Sequence, residues 1–317
     1  MGWRMSRDIP ARLLLASGRT SCSVRQCEVG RSAHGQEWRR HHHDRHPHRA
    51  LRRWDDRQLS LRGRRAGGHR PARSPLPGRR LRGLRGGPGR ERFTVHTMER
   101  RGRGGSGPQG DGYSIARECE DVLAVQSETG ASLLVGHSYG GLIALEVARN
   151  NDSFAKAAVY EPGVSIDGSM PVDWMPGYEK KFADGKRLDA LVQFTLADAP
   201  ARIRRIPPWL MKAMVGLLMI IQPGYRQMLD LLLQNAREWE EVARLDSSYE
   251  NYQEVSASVL LLYGGRSDSK AVDLMVERLP AVIPRCETKE FPELDHFGIE
   301  RTAPRTVAQV VGDYFLK

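Results

Sequence analysis

A serine between two glycines is the residue of this chain whose surroundings best suit chemistry. Ser138 stands in the run Gly-His-Ser-Tyr-Gly-Gly at residues 136–141. Glycines two positions to either side let the backbone pass close to itself, so that a strained turn can project the serine hydroxyl. Ser138 is therefore a candidate nucleophile, which a neighbouring base would activate. The amide of Tyr139, at the start of a predicted helix, could donate to a developing oxyanion.

The choice of a base is narrow. Between residues 93 and 317 there are only three histidines, His96, His137 and His296. His96 falls within a predicted strand, and His137 is the variable position of the serine motif itself. His296 lies in a loop just before a predicted C-terminal helix, where an imidazole can reach over the nucleophile. We expect His296 to be the general base.

Two carboxylates compete to orient that imidazole. Asp268 follows a predicted buried strand at 258–265, and Glu161 ends another at 157–160. An acid in this position fixes the tautomer of the base and stabilises its charged form, which either residue could do. Asp268 is the first choice and Glu161 the alternative. Asp295, beside the base, could also serve, or any of the three could form only a salt bridge.

From Phe93 onward, strand-like and helix-like segments alternate at the spacing of a parallel, doubly wound α/β sheet. The apolar run before Ser138 is short and uninterrupted, as expected of a strand buried on both faces. The helix after residue 114 has Ser114 as a predicted N-cap. In this part of the chain the sequence predicts strands at 93–98 and 131–135 and helices at 114–127, 142–148 and 305–316.

The alternation breaks between about residues 163 and 256, which predicts a helical lid inserted into the α/β domain. Residues 209–221 are apolar almost all round and rich in methionine, but too few to span a bilayer. They could pack in the core of the lid or form the wall of a pocket for an apolar group. Another amphipathic helix is predicted at 225–245, with Leu232 and Leu233 facing inward and Arg237 and Glu241 outward.

The first 92 residues differ sharply from the rest in composition. They contain 24 arginines, 7 acidic residues, one isoleucine and no Phe, Tyr, Asn or Lys, whereas residues 93–317 have 25 basic and 31 acidic residues. Such a segment lacks the residues that build strands or a core, so we expect it not to fold alone. A disordered basic arm and a frame-shifted translation are both open interpretations. Its apolar run, Leu13 to Ala16, is too short for a signal peptide.

Two further observations concern metals and compartment. The histidines at 41–48 and the nearby Cys22 and Cys27 lack the spacing that holds a tetrahedral metal site, so no metal is predicted. Together with Cys119 and Cys286 these cysteines form no disulfide framework, which favours a reducing, cytoplasmic location. No membrane span is expected, and the oligomeric state is open.

Five motifs of the chain together carry a family resemblance. They are Arg-Arg-Gly-Arg-Gly-Gly-Ser-Gly at 100–107, Gly-His-Ser-Tyr-Gly-Gly at 136–141, Tyr-Glu-Pro at 160–162, Leu-Leu-Tyr-Gly-Gly at 261–265 and Leu-Asp-His-Phe at 294–297. With these motifs the chain resembles the α/β-hydrolase superfamily, and in particular small bacterial hydrolases of the esterase and haloperoxidase-like type. This resemblance covers about seventy per cent of the chain and implies cofactor-free hydrolysis of a small, partly apolar carboxylic ester through an acyl-enzyme. Relatives with the acid after the sixth strand make Glu161 a serious rival to Asp268.

The N-terminal segment departs from that family. Relatives have a hairpin, a third strand and a His-Gly loop that completes the oxyanion hole, and we expect these strands to be missing here. Gly67-Gly68-His69 has no apolar strand before it. Loss of one oxyanion donor costs about a hundredfold to a thousandfold in rate. The alternative function is therefore an impaired hydrolase-like protein whose basic arm binds nucleic acid.

Overall fold

A computed structural model gives the fold of most of the chain from Phe93 onward and of two short segments before it. The described residues are 11–16, 51–54, 93–104, 106–197, 201–221, 229, 231–267 and 269–317. Within them, seven strands form a single sheet in the order β2-β3-β1-β4-β5-β6-β7. The strands are β1 (Ala11–Ala16), β2 (Leu51–Trp54), β3 (Phe93–Met98), β4 (Leu133–His137), β5 (Lys156–Tyr160), β6 (Ser258–Gly264) and β7 (Cys286–Phe291).

Helices cover both faces of this sheet. On one face, α1 (Ile115–Thr129), α2 (Tyr139–Asn150) and α8 (Lys270–Val282) bury a large apolar cluster. On the other face, α9 (Pro304–Leu316) covers a second cluster that includes Phe93 and Phe315. This is the three-layer arrangement of a doubly wound parallel sheet, as predicted. The helices are α1 (Ile115–Thr129), α2 (Tyr139–Asn150), α3 (Met175–Ala183), α4 (Arg187–Ala197), α5 (Ala201–Arg204), α6 (Pro208–Ile221), α7 (Leu232–Arg244), α8 (Lys270–Val282) and α9 (Pro304–Leu316).

The sheet corrects the expectation that the N-terminal strands are missing. Strand β1 lies between β3 and β4 and is parallel to both, with Ala16 beside Met98 on one side and Gly136 on the other. Strand β2 adds an antiparallel edge to β3. The average composition of residues 1–92 concealed a local run, Leu13 to Leu15, that suits a central strand between two others. The histidine run at 41–48 and Gly67-Gly68-His69 lie outside the described residues.

The segment predicted to form a lid, residues 163–256, has an apolar cluster of its own. Trp174 packs edge-on against Tyr178, Phe194 and Trp239, with ring centroids 5.5–5.7 Å apart. Helix α6 contributes buried residues to this cluster, so its inner face packs within the lid itself. The described part of the lid is therefore a small helical layer with an independent core.

Helix α7 corrects the predicted orientation of the last lid helix. Leu233 is 44% exposed although it was expected to face inward, while Glu241 is buried although it was expected to face outward. The reason is electrostatic, because donors on neighbouring elements satisfy the acidic face of α7. The Glu241 carboxylate accepts the amide of Ile115 at 2.8 Å, and it also binds Arg244.

Candidate active site

Ser138 sits at the sharp turn between β4 and α2, at the carboxyl edge of the sheet. Its φ of 55° and ψ of −127° are a conformation that costs a non-glycine residue about 1–3 kcal/mol. The turn is so tight that a Cβ on Gly136 would lie 2.3 Å from the Gly140 carbonyl oxygen. Position 136 therefore requires glycine, as the sequence motif predicted.

Backbone hydrogen bonds hold this strained turn from several sides. The Ser138 amide donates to the Tyr160 carbonyl on the neighbouring strand at 3.1 Å. The Ser138 carbonyl accepts amides from Gly141 at 2.8 Å and Gly163 at 2.9 Å. Neighbouring structure thus fixes the serine backbone, and the residue stays partly exposed.

His296 and Glu161 form the hydrogen-bonded pair expected of a base and its acid. Nδ1 of His296 lies 2.7 Å from Oε2 of Glu161. The Glu161 side chain is only 2% exposed, whereas that of His296 is 36% exposed. An ionised carboxylate can only accept, so Nδ1 of His296 carries a proton, and in the neutral form of the ring Nε2 is the nitrogen with the lone pair. The imidazole is thereby held in the tautomer that can take a proton from a hydroxyl.

The other oxygen of Glu161 is also satisfied. Oε1 accepts the Gly264 amide at 2.8 Å and the Ser267 hydroxyl at 2.6 Å, both at the end of β6. Burial raises the pKa of Glu161, but the bond and charge of His296 and these two donors outweigh burial, and the pKa is lowered overall. Glu161 is therefore a carboxylate at neutral pH. Its own φ is 40°, a second strained residue at this edge.

The loop that carries His296 is tied to the same sheet edge. Nε2 of His137, the residue before the serine, donates to the His296 carbonyl at 2.8 Å. The two imidazole rings are 4.7 Å apart. The Tyr160 hydroxyl donates to the Asp295 carbonyl at 2.8 Å, and the Asp295 carboxylate accepts the Phe297 amide at 2.9 Å. His296 is thus anchored through side chains that flank Ser138 and Glu161.

The structure thus brings four of the predicted site residues together. Ser138 and Tyr139 follow β4 and Glu161 follows β5, and the loop of His296 is bound to this same edge through Glu161, His137 and Tyr160. The Tyr139 amide is the first of helix α2, where no carbonyl of the same helix can accept it. Asp268, the first choice for the acid, lies outside the described residues. Tyr160 and His137 help to position the site, a role that their sequence context did not indicate.

His137 should make the free energy of unfolding of the protein depend on pH. Burial lowers its pKa, against the opposing effect of Glu300, whose Oε1 is 3.1 Å from Nδ1. The unfolded chain therefore binds a proton at higher pH than the folded chain, and stability falls as pH drops below about 6.5. We expect the free energy of unfolding to decrease by up to about 1.4 kcal/mol per pH unit from this residue.

Urea unfolding between pH 7.5 and pH 4.5 measures that effect, with His137→Gln as the comparison. The variant should lack the His137 contribution to the slope below about pH 6.5. An extension of the series below about pH 4.3 should show both proteins losing stability together, because carboxylates such as Glu161 take up protons in the unfolded chain before they do so in the folded one. Equal slopes for both proteins from pH 6.5 down to pH 4.5 would show that His137 is not buried in its neutral form.

A buried ionic cluster links the serine turn to the lid, and no sequence signal revealed it. Arg100 donates to Glu118 of α1 at 3.0 Å and to Glu238 of α7 at 2.5 Å, with the arginine side chain fully buried. Arg103 donates to the same Glu238 oxygen at 2.5 Å. Both arginines belong to the motif at 100–107, where an arginine in a glycine-rich run carries no sign of its partner.

The same cluster reaches the residue next to the nucleophile. The Arg100 guanidinium lies 4.7 Å from the centre of the Tyr139 ring. The Tyr139 hydroxyl is 3.1 Å from that of Tyr113, which donates to Glu118 at 3.0 Å. Burial raises the pKa of both tyrosines, so each remains a neutral phenol. The side chain of Tyr139 is thus fixed while its amide stays at the start of α2.

Comparisons with known proteins place the chain in a family. The model of the alpha/beta hydrolase family matches residues 66–310, most of the chain. The chain therefore belongs to the alpha/beta hydrolase family and is a hydrolase. The resemblance was expected to start at about Phe93, but the match begins upstream of that residue, at position 66.

Solved structures agree with this assignment. An alpha/beta hydrolase from Sphaerobacter thermophilus is 26% identical, with a TM-score of 0.55 over 70% of this chain and 82% of that one. An alpha/beta hydrolase enzyme from a Medee basin deep-sea metagenome library is 16% identical, with a TM-score of 0.55 over 72% and 81%. An enol-lactonase from Burkholderia xenovorans is 18% identical, with a TM-score of 0.52 over 71% and 82%. The last two show similarity of fold.

Among the described residues, no helix is both long enough and apolar enough to cross a bilayer.

Proposed function

We propose that this hydrolase cleaves a small, partly apolar carboxylic ester through an acyl-enzyme on Ser138. The observation that carries the proposal is the 2.7 Å bond between buried Glu161 and His296, on a loop that His137 ties to the serine turn. This bond supplies a base in the correct tautomer at the sheet edge that also carries the strained turn of Ser138. Acyl transfer is the reaction class that these groups serve.

The first half of the reaction forms the acyl-enzyme. The Ser138 hydroxyl attacks the ester carbonyl carbon while Nε2 of His296 takes its proton. The carbonyl oxygen becomes an oxyanion, which accepts the Tyr139 amide at the start of α2. The buried charge of Glu161 stabilises the imidazolium. Collapse of the tetrahedral intermediate breaks the bond to the alcohol oxygen, and His296 returns the proton to that alcohol.

The second half repeats these steps with water. A water molecule loses a proton to Nε2 of His296 and attacks the acyl carbon. The second tetrahedral intermediate is stabilised at the same amide and then expels the Ser138 oxygen, which regains the proton from His296. The products are a carboxylic acid and an alcohol, and no cofactor takes part.

Glu161 is the acid in this proposal, in place of the first choice Asp268. The support is that Glu161 is buried, accepts from His296 and has its second oxygen occupied by Gly264 and Ser267. Nδ1 has one proton to donate, and that proton faces Glu161. A second carboxylate is not needed to fix the imidazole.

The apolar preference of the substrate is supported by an aromatic side chain beside the base. The Phe297 ring is 38% exposed and stands edge-on to His296, with centroids 5.2 Å apart. An exposed aromatic ring next to a reactive imidazole favours an apolar group of the ester. Lactones and thioesters present the same carbonyl chemistry, so a cyclic or sulfur ester is a further member of this substrate class.

A panel of p-nitrophenyl esters tests the proposal. Hydrolysis of the acetate, butyrate and octanoate should be measurable with the full chain and lost in Ser138→Ala, with kcat/KM larger for an apolar acyl chain than for acetate. Phe297→Ser should reduce that preference. Hydrolysis that persists in Ser138→Ala would refute a serine nucleophile, and a folded protein that is inactive on every ester would refute the substrate class.

A further inference from the structure

The outer surface of helix α6 is apolar and exposed. Trp209 is 71% exposed and Ile220 is 73% exposed, well above the level of a buried core residue. Exposed clusters of this kind mark interaction sites in soluble folds. We call it the α6 apolar face, and its members are Trp209, Leu210, Ala213, Met214, Leu217, Ile220 and Ile221.

These side chains share one side of the helix. At about 100° of rotation per residue, the seven residues fall within an arc of about 140°, and no charged residue lies inside it. Met211, Val215 and Met219 occupy the opposite side and are buried in the core of the lid. The helix therefore has two apolar faces, of which the lid uses one.

The segment of the chain that carries this face has only basic charged residues. Residues 201–221 contain no acidic residue. Arg204 and Arg205 are exposed just before the helix begins, next to Trp209 in the chain. Lys212, at the margin of the apolar arc, is paired with Asp189 of α4 at 2.8 Å. An apolar surface bordered by arginines and an exposed tryptophan matches the polarity of an anionic lipid interface.

We propose that the α6 apolar face docks the enzyme in the plane of an anionic lipid surface. The helix is about 21 Å long, too short to cross a hydrocarbon core of about 30 Å, but long enough to lie along its boundary. In that orientation Leu217 and Ile220 enter the acyl region, while Trp209 and the two arginines stay at the headgroups. This property goes beyond ester cleavage and does not depend on it.

A second copy of the chain fits this face less well. The outer strip of one such helix measures roughly 21 Å by 10 Å, whereas a stable dimer buries about 800 Å² on each partner. A lipid surface has no such size limit, and its negative headgroups accept both arginines.

Sedimentation with vesicles tests the proposal on the full chain. We use vesicles of phosphatidylcholine alone and vesicles of equal parts phosphatidylcholine and phosphatidylglycerol. The chain should bind the mixed vesicles, and Leu217→Ser with Ile220→Ser should lower the partition coefficient about tenfold or more. Leu316→Ser, which alters a side chain of 48% exposure in α9, is the matched control and should bind normally.

Two further experiments test the contribution of the arginines to binding and the insertion of Trp209 into the lipid. Arg204→Ser with Arg205→Ser should lower binding to the mixed vesicles about tenfold and leave binding to phosphatidylcholine unchanged, whereas Arg305→Ser in α9 should change neither. Vesicles should shift the tryptophan emission to shorter wavelength. Trp209→Phe should keep the binding but lose most of that shift, because Trp209 is the described tryptophan on the α6 apolar face.

Two outcomes would overturn the proposal. Undiminished binding of the Leu217→Ser, Ile220→Ser variant would assign lipid binding to another part of the chain, such as the arginine-rich first 92 residues. A dimer in light scattering that dissociates in this variant, together with no binding to either vesicle, would assign the face to self-association. Since vesicle binding is measured without an ester, failure here leaves the proposed hydrolysis intact, and Ser138→Ala should bind vesicles normally.

Discussion

Glu161→Gln should lower kcat for ester hydrolysis by about four orders of magnitude. The Gly264 amide and the Ser267 hydroxyl will hold the amide oxygen of the new side chain, so its NH₂ group will face Nδ1 of His296. Nδ1 must then accept a hydrogen bond, which moves the imidazole proton to Nε2. A base protonated at Nε2 cannot take the proton of Ser138. Steady-state kinetics on p-nitrophenyl butyrate measures the loss.

Asp268→Asn is the matched control for that variant, because it makes the same chemical change at the other candidate acid. It should leave kcat within a few-fold of the parent enzyme, and both variants should unfold at nearly the parent temperature. A large loss in Asp268→Asn with little change in Glu161→Gln would assign the acid to Asp268 and contradict the proposal. An equal loss in both would mean that the two carboxylates act together.

Arg100→Met should destabilise the fold by about 3–5 kcal/mol, a large fraction of the stability of an ordinary domain. The change leaves Glu118 and Glu238 buried without their shared cation, while Arg103 balances only one of the two charges. The lid should loosen first, because Glu238 joins it ionically to the segment after β3 and, through Arg100, to α1. Chemical denaturation and calorimetry measure the loss.

Two comparisons separate this effect from the loss of any arginine. Arg101→Met alters the neighbouring residue, whose pair with Asp121 is partly exposed, and should cost no more than about 1 kcal/mol. Adding Glu118→Gln to Arg100→Met should restore part of the stability, since it removes one unpaired charge. A cost for Arg100→Met no larger than that for Arg101→Met would show that the buried cluster contributes little.

The nucleophile turn could be predicted from sequence because its constraints are local. Gly136 is needed where a Cβ would meet the Gly140 carbonyl, and a buried strand and a helix must flank Ser138. The choice of His296 as the base was narrow for a different reason, since few histidines occur after residue 93. Both residues lie at the same edge of the sheet in the structure, and their chemical roles stay predictions.

The acid could not be chosen from sequence, because two parallel strands end at the same edge and each is followed by a carboxylate. The support for Glu161 is three-dimensional: a φ of 40°, a buried carboxylate and donors from the end of β6 that occupy its second oxygen. None of these appears in the local sequence. For the same reason Tyr160 and His137 were missed, since their bonds to the His296 loop connect residues 135 and 159 positions apart.

Average composition and periodicity were misleading in two places. The composition of residues 1–92 hid β1, a short apolar run that needs flanking strands to pair with. The periodicity of α7 indicated that Glu241 faces solvent, but a buried backbone amide and Arg244 hold it inward. Edge strand β7 was missed because its side chains are mostly exposed and charged. For β1 and for Glu241, a partner distant in sequence decides the outcome: the flanking strands pair with β1, and the Ile115 amide binds Glu241.

The most direct test of Ser138 as an activated nucleophile is the mass of the intact chain after reaction with a fluorophosphonate, with Ser138→Ala and Glu161→Gln alongside. A fluorophosphonate modifies only a serine that a neighbouring base activates. We predict one adduct on the full chain, none on Ser138→Ala, and much slower labelling of Glu161→Gln. An adduct that persists in Ser138→Ala, or no adduct on folded protein, would contradict Ser138 as the activated nucleophile.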